Sequence, residues 1–250
     1  MVVREQVLTW RQDDDGPRGS VVRALTGRAG GTSTGPWSGL NLGDHVGDDP
    51  GDVAANRAAV AAAAGVQPER VVYARQVHGT RVEVLDGPWP GEPAEADALV
   101  TREPGLVLAV LVADCVPVVL AAPQEGVVGV AHAGRRGMAD GVVGEAVAAM
   151  RSLGATRLLA TVGPSVCARC YEVPAELRAE VAGRVPVAAS VTRTGGPSLD
   201  VAAGVLEQLA AAGAEVTQLP GCTAEDHDLY SYRRDGVTGR FAGLAWRAAR

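Results

Sequence analysis

The chain has 250 residues, enough for one large domain or two small ones with a sizeable core. All 23 basic residues are Arg, the formal net charge is −6 and no Arg stripe stands out, which argues against nucleic acid as a bulk partner. No apolar run reaches the length of a membrane span, and "MVVREQVLTWRQDDD" lacks the apolar stretch of a signal peptide, so a cytoplasmic protein with four reduced Cys is expected.

Taken in chain order, the Gly-rich segment Gly27 to Gly35 lacks the GK[ST] of a phosphate loop and reads as a surface loop. Asp49 to Ala64 reads as a helix: Asp49 can cap it, Pro50 suits the first turn and Gly65 stops it. Arg70 to His78 and Thr80 to Asp86 read as strands around a turn at Gly79. Gly87 to Ala96 is a Pro/Gly loop. Short apolar runs follow at Ala96 to Thr101, Leu106 to Ala113, Val116 to Ala122 and Gly126 to Gly134, the pattern of strands buried on both faces. Met138 to Leu153 places Met138, Val142, Val143, Ala146, Val147 and Met150 on one helical face. Arg157 to Gly163 reads as a strand, Pro174 to Ala182 and Ser198 to Ala212 as helices, and Arg240 to Arg247 as a closing strand after a turn. With no strict βαβ rhythm and no repeat, the simplest fold is a single α/β domain, residues 1–250, of mixed β-sheets packed with helices in layers. Aromatics make up only 4% of the chain, so Val, Leu and Ala must fill the core.

Four His occur: His45, His78, His132 and His227. His78 and His132 end predicted strands next to Gly, in "QVHG" and "AHAGRRG", and Cys115 ends another in "VADC". Strand ends on one rim can gather distant residues into a site. Two imidazoles and a thiolate make a sound three-ligand shell for catalytic zinc, with one position open. Spacing alone leaves the alternative of three separate buried residues, with Cys115 an inert small hydrophobe. Asp114 cannot stay charged in a core unless it is paired or reaches a cavity. Strand alternation points Asp114 and Cys115 to opposite faces unless a bulge or strand end lies there. Arg135 and Arg136 follow His132 as a solvated pair or an anion clamp. Cys167 and Cys170 have CxxC spacing and could join Cys222 and His227 in a structural zinc site, with free thiols as the default.

Seven stretches in order, "GPWSGLNLGDHVGDDP", "RQVHGT", "ADALVT", "VADCVPVVL", "AHAGRRGM", "GPSVCARCYEV" and "SYRRDGVTGR", together resemble the YfiH-type, laccase-domain family, also called peptidoglycan editing factor or polyphenol oxidase proteins. The motifs run from about Thr26 to Trp246. The resemblance implies a zinc site at His78, Cys115 and His132, a single layered α/β domain, and a phosphorylase of adenosine, inosine and methylthioadenosine with adenosine deaminase activity. Purine nucleoside and phosphate would be its partners, with a homodimer left open. Arg135 stands where the family usually has Trp, and the first motif varies at Gly27 and Thr32.

Four His cannot supply a multicopper centre, although one His2Cys site could hold a single copper with Met138 as axial ligand. For deamination, Asp114 is the first candidate proton carrier and Glu172 the second. For phosphorolysis, Arg136 and Arg28 are the candidates to position phosphate. Asn41 and Gln76, inside the first two motifs, are expected to bind substrate. The competing functions are a metal-free Cys-His hydrolase of peptidoglycan precursors, with Cys115 as nucleophile, and a non-enzymatic zinc-stabilised binding protein.

Overall fold

Strands that are apolar on both faces need cover on both faces. In the computed structural model, which describes residues 7–249, four layers supply it. The leaderless reading of the N-terminus rests partly on residues 1–6, which lie outside the described residues.

One sheet has five strands in the order β1 (Leu8–Asp14), β2 (Val21–Thr26), β13 (Phe241–Arg247), β6 (Val107–Val112) and β3 (Val71–Tyr73). The other has six: β12 (Glu215–Gln218), β9 (Leu159–Val162), β7 (Val116–Ala122), β8 (Val127–Ala133), β5 (Ala98–Thr101) and β4 (Val82–Leu85). A small hairpin of β10 (Ala189–Val191) and β11 (Pro197–Leu199) stands apart.

The period-2 alternation of each strand assigns its side chains to layers. Leu108 and Val110 of β6 meet Val119 and Ala121 of β7 and Val128 and Val130 of β8 between the sheets. The other face of β6, Val107, Ala109 and Leu111, belongs to the cluster that includes Val60 and Ala61 of helix α1 (Pro50–Ala64). Val118 and Leu120 face the opposite way, toward α2 (Arg135–Asp140), α3 (Val142–Ser152), α4 (Ala175–Ala182) and α5 (Val201–Ala211). Gly243 fits the narrow space between sheets, where a Cβ would lie 3.0 Å from Val119 Cγ2. Among the described residues no helix is long and apolar enough to cross a membrane.

The layered α/β domain is as expected, and α1 begins and ends where read, with Asp49 accepting from Gly51 and Asp52 amides and Gly65 left-handed at φ 77°. Three readings need correction. The helix expected over 138–153 is two helices, because Gly141 sits at φ 97° and ends the first. Pro197–Leu199 is strand, so the following helix begins at Val201, where Asp200 accepts from the Ala203 amide. Finally, β3 and β4 are shorter than expected and belong to different sheets. The intervening chain, with His78 at φ 60°, crosses from one sheet to the other.

Candidate metal centre and active-site cleft

The chain steps between the sheets again at residues 113–115, from β6 to β7. Asp114 makes the bend with φ 87°, a costly conformation for a residue with a Cβ. That bend removes the conflict left by strict alternation. Both crossings deliver a metal-type donor to one rim. His78 arrives on the first, Cys115 on the second, and His132 comes from the end of β8.

Donor atoms of His78, Cys115 and His132 all lie within 4.8 Å of one another. Cys115 Sγ is 3.8 Å from His78 Nε2, and the two imidazoles meet edge to face with centroids 4.7 Å apart. His132 is buried, Cys115 half-buried and His78 exposed, so the site opens on one side. Gly134 makes room for it, since a Cβ there would stand 2.7 Å from His78 Cδ2 and 3.2 Å from Cys115 Sγ. A thiolate and two imidazoles in a dry-backed, open-fronted corner suit a borderline-soft divalent ion such as zinc.

Asp97 organises this corner. It precedes β5, is fully buried, and accepts from His132 Nδ1 at 2.8 Å. Its carboxylate also accepts the amides of Val77, His78 and Gly79 at 3.2, 2.9 and 2.7 Å, which forces the first crossing to turn there. Holding Nδ1 fixes the His132 ring and leaves Nε2 as its ligating atom. Burial acts to raise the Asp97 carboxyl, but His132 and the amides outweigh it and hold it below the usual range. Burial likewise opposes a charged Cys115, yet His132 and His78 bring its thiol down to about 6. Burial opposes a charged His132 too, but Cys115 and Asp97 raise it to about 9. Each charge thus favours the other, which pushes the metal-free pair toward thiolate and imidazolium.

The corner lies in a cleft of about 1200 Å³. Arg57, Arg135, Arg233 and Arg240 line it, as do Tyr73, Trp89, Tyr171 and Tyr232. Arg57 stacks on Tyr73, 4.2 Å from the ring centroid, while also binding the Leu42 carbonyl and Asp44. Arg240 is half-buried and donates to the carbonyls of Thr238 and Gly239. Among the described residues no carboxylate pairs with it, and burial draws it below its ordinary value against the pull of Cys115 and Asp114.

Of the other residues read from sequence, Asp114 and Gln76 line the cleft. Asp114 Oδ1 accepts from Thr223 Oγ1 at 2.6 Å and Ser231 Oγ at 2.7 Å, and Oδ2 accepts the Arg233 amide at 2.6 Å. Gln76 spends its amide on the Leu111 backbone, donating at 2.8 Å and accepting at 2.7 Å. Asn41 is buried outside the cleft lining, bonded to Gly43, Asp48 and the Arg240 amide. Arg136 and Glu172 are exposed and do not line the cleft. Arg28 lies outside it as well, bound to the Ser38 carbonyl and stacked over Tyr230. Met138 is buried against Gly204 in the helix layer, away from an axial-ligand position. Cys167, Cys170 and Cys222 do gather, but with Glu225 in place of His227. The segment 27–35 is tied down rather than loose: Asn56 accepts the Thr32 amide and donates to Ser33 Oγ.

The geometry defines a candidate metal-binding corner in a cleft, built where the chain crosses between the two sheets. The chain belongs to the family described as multi-copper polyphenol oxidoreductase laccase, whose model matches residues 22–248. It is 55% identical over 234 residues to a purine nucleoside phosphorylase of Streptomyces griseus, covering 91% of this chain and 95% of that protein. A purine nucleoside phosphorylase of Streptomyces coelicolor is 55% identical over 226 residues, covering 89% and 93%. Among solved structures, YlmD from Geobacillus stearothermophilus superposes with a TM-score of 0.83 at 33% identity, over 92% of each chain. The resemblance read from the seven motifs is thus to the family the chain belongs to. The multicopper description does not match the ligand supply, since His78, Cys115 and His132 form the one His-containing donor cluster among the described residues.

Proposed function

We propose that the chain is a zinc-dependent purine nucleoside phosphorylase acting on adenosine, inosine or methylthioadenosine, with adenosine deaminase activity. The observation that carries it is the joining of a three-donor metal corner to a cleft rich in Arg and Tyr, together with relatives named purine nucleoside phosphorylase. His78, Cys115 and His132 would hold the metal, which would supply Lewis acidity.

The remaining chemistry falls to the chain's own groups. Phosphate attacks the anomeric carbon, the glycosidic bond breaks and its electron pair leaves with the purine, which takes up a proton. Arg240, desolvated and without a carboxylate partner among the described residues, is the primary phosphate ligand, and Arg135 is a second cation in the lining. This reassigns the phosphate role from Arg136 and Arg28. Tyr232, exposed in the lining, and Tyr171, stacked on one face by Arg233 at 4.9 Å, are the candidate aromatic partners of the purine. Asp114, with both oxygens engaged, acts as a positioning residue for the Cys115 bend rather than as the proton carrier.

Elemental analysis paired with chromatography of nucleoside digests tests this reading. Wild type should release free base only when phosphate is present, and His132→Ala should lose both metal and base release. Phosphate-independent base release, or full activity in His132→Ala, would refute it. Ammonia release from adenosine tests the deaminase half separately.

A further inference from the structure

Sequence spacing places two residue pairs three apart, Cys167-Ala-Arg-Cys170 and Cys222-Thr-Ala-Glu225. Both pairs sit on the same kind of tight turn. The amides of Cys170 and Tyr171 donate to the Cys167 carbonyl at 2.9 and 3.0 Å. The amides of Glu225 and Asp226 donate to the Cys222 carbonyl, both at 2.9 Å. The turns are locked side by side by a parallel bridge between Ser165 and Cys222, and the Thr223 amide donates to the Ser165 carbonyl at 3.1 Å.

Three sulfurs and a carboxylate oxygen therefore converge, all within 4.8 Å of one another. Cys170 Sγ lies 3.0 Å from Glu225 Oε1, and Cys167 Sγ 3.9 Å from the same oxygen. The Cys167 amide donates to Cys222 Sγ at 3.3 Å, the kind of bond that supports a thiolate ligand. Tetrahedral zinc with Zn–S bonds of about 2.3 Å needs sulfurs about 3.8 Å apart, and donors that all lie within 4.8 Å of one another can close to that spacing by side-chain rotation. Arg193 bonds Glu225 and offsets part of the negative charge. Cys222 is buried, Cys167 and Cys170 are half-buried and Glu225 is exposed, so the cluster is anchored at its back and reachable from solvent. None of the four lines the active-site cleft.

We infer that Cys167, Cys170, Cys222 and Glu225 form a second, structural zinc site, closed by four protein ligands. On binding, each thiol gives its proton to solvent and the three thiolates and the carboxylate complete the shell. The two turns it joins both hold the Asp114 bend: the Val166 amide donates to the Asp114 carbonyl at 3.0 Å, and Thr223 donates to its carboxylate. The second ion would thus brace, from behind, the residue that delivers Cys115.

Reduced protein reconstituted with zinc and freed of loosely bound metal tests this by elemental analysis. Cys115→Ser should retain one equivalent, and Cys170→Ser should hold one fewer than wild type. Cobalt substitution should give stronger thiolate-to-metal absorption in Cys115→Ser than in Cys170→Ser, because three thiolates contribute against one. Glu225→Ala, at an exposed position, should fold normally and surrender the second equivalent to a chelator faster than wild type. No metal in folded Cys115→Ser overturns the proposal. So does a Cys167–Cys170 disulfide which, once reduced, takes up no zinc. Because Cys115→Ser removes the first site, failure here is separable from failure of the phosphorylase reading.

Discussion

Gly134→Ala isolates the metal corner from the rest of the fold. Gly134 has φ −73° and ψ 169°, which alanine adopts without strain, so any effect comes from the added methyl group. That group would stand 2.7 Å from His78 Cδ2 and 3.2 Å from Cys115 Sγ. His78 is exposed and its ring can swing outward, so the cost should fall on ligand geometry. A rotated ring costs about 0.5 to 1.5 kcal/mol, which bounds the loss of fold stability. Disturbed ligand positioning typically weakens metal binding about 10- to 100-fold, equivalent to about 1.4 to 2.8 kcal/mol. Competition against a chromophoric chelator measures the affinity, and melting of the metal-free protein measures the fold. Unchanged zinc affinity would refute the placement of Gly134 beneath the ligands. A large melting loss in the metal-free protein would show that the methyl group disrupts packing instead.

Other outcomes follow from the same geometry. Asp97→Asn should weaken metal binding about 10- to 100-fold and cost about 3 kcal/mol in stability, because a buried, fully bonded carboxylate is replaced. Since the folded Asp97 carboxyl is held below its ordinary value, its stabilisation is complete above about pH 4 and lost as pH falls through the folded value. Urea titrations should therefore show a shallower acid limb in the variant, and an identical limb would contradict the assignment. In chelated protein, alkylation of Cys115 should rise with a midpoint at about 6 and move toward ordinary thiol values in His132→Ala. Between the Cys115 and His132 values the two linkages oppose: the lowered thiol adds stability as pH rises and the raised imidazole removes it, so this pair should leave apoprotein stability nearly flat there. Arg240→Gln should raise KM for phosphate about 10- to 100-fold, the loss of one charge-assisted hydrogen bond, with KM for nucleoside little changed in steady-state assays.

The candidate metal ligands were legible because His78 and His132 close strand readings near Gly, and Cys115 interrupts an apolar run in "VADC" where a reactive thiol stands beside a carboxylate. Asp97 carries the same signal, a carboxylate inside "ADALVT", yet its partner His132 is 35 positions away, so sequence gave no hint of the pairing. The cleft arginines were harder still. Arg57 on α1 and Arg240 beside β13 line one cleft although far apart in sequence, and β13 takes its place there by pairing with β6, a register that depends on long-range burial. Arg136 lies in a family motif but is exposed and outside the cleft lining, so its position lends no support to the phosphate role read for it. Strand β12 was invisible because all four of its residues are exposed and give no apolar alternation. Strand β2 was hidden by Arg23, a buried charge neutralised by Asp14 at 2.9 Å and bonded to Thr161 at 2.7 Å. The break at Gly141 escaped because the apolar face continues across it.

Phosphorus NMR of zinc-loaded protein turning over inosine or adenosine in phosphate buffer tests the phosphorylase reading most directly. A new sugar 1-phosphate resonance should grow in step with free purine base. Free base appearing with unphosphorylated ribose, or ammonia and intact nucleoside as the sole products, would contradict it.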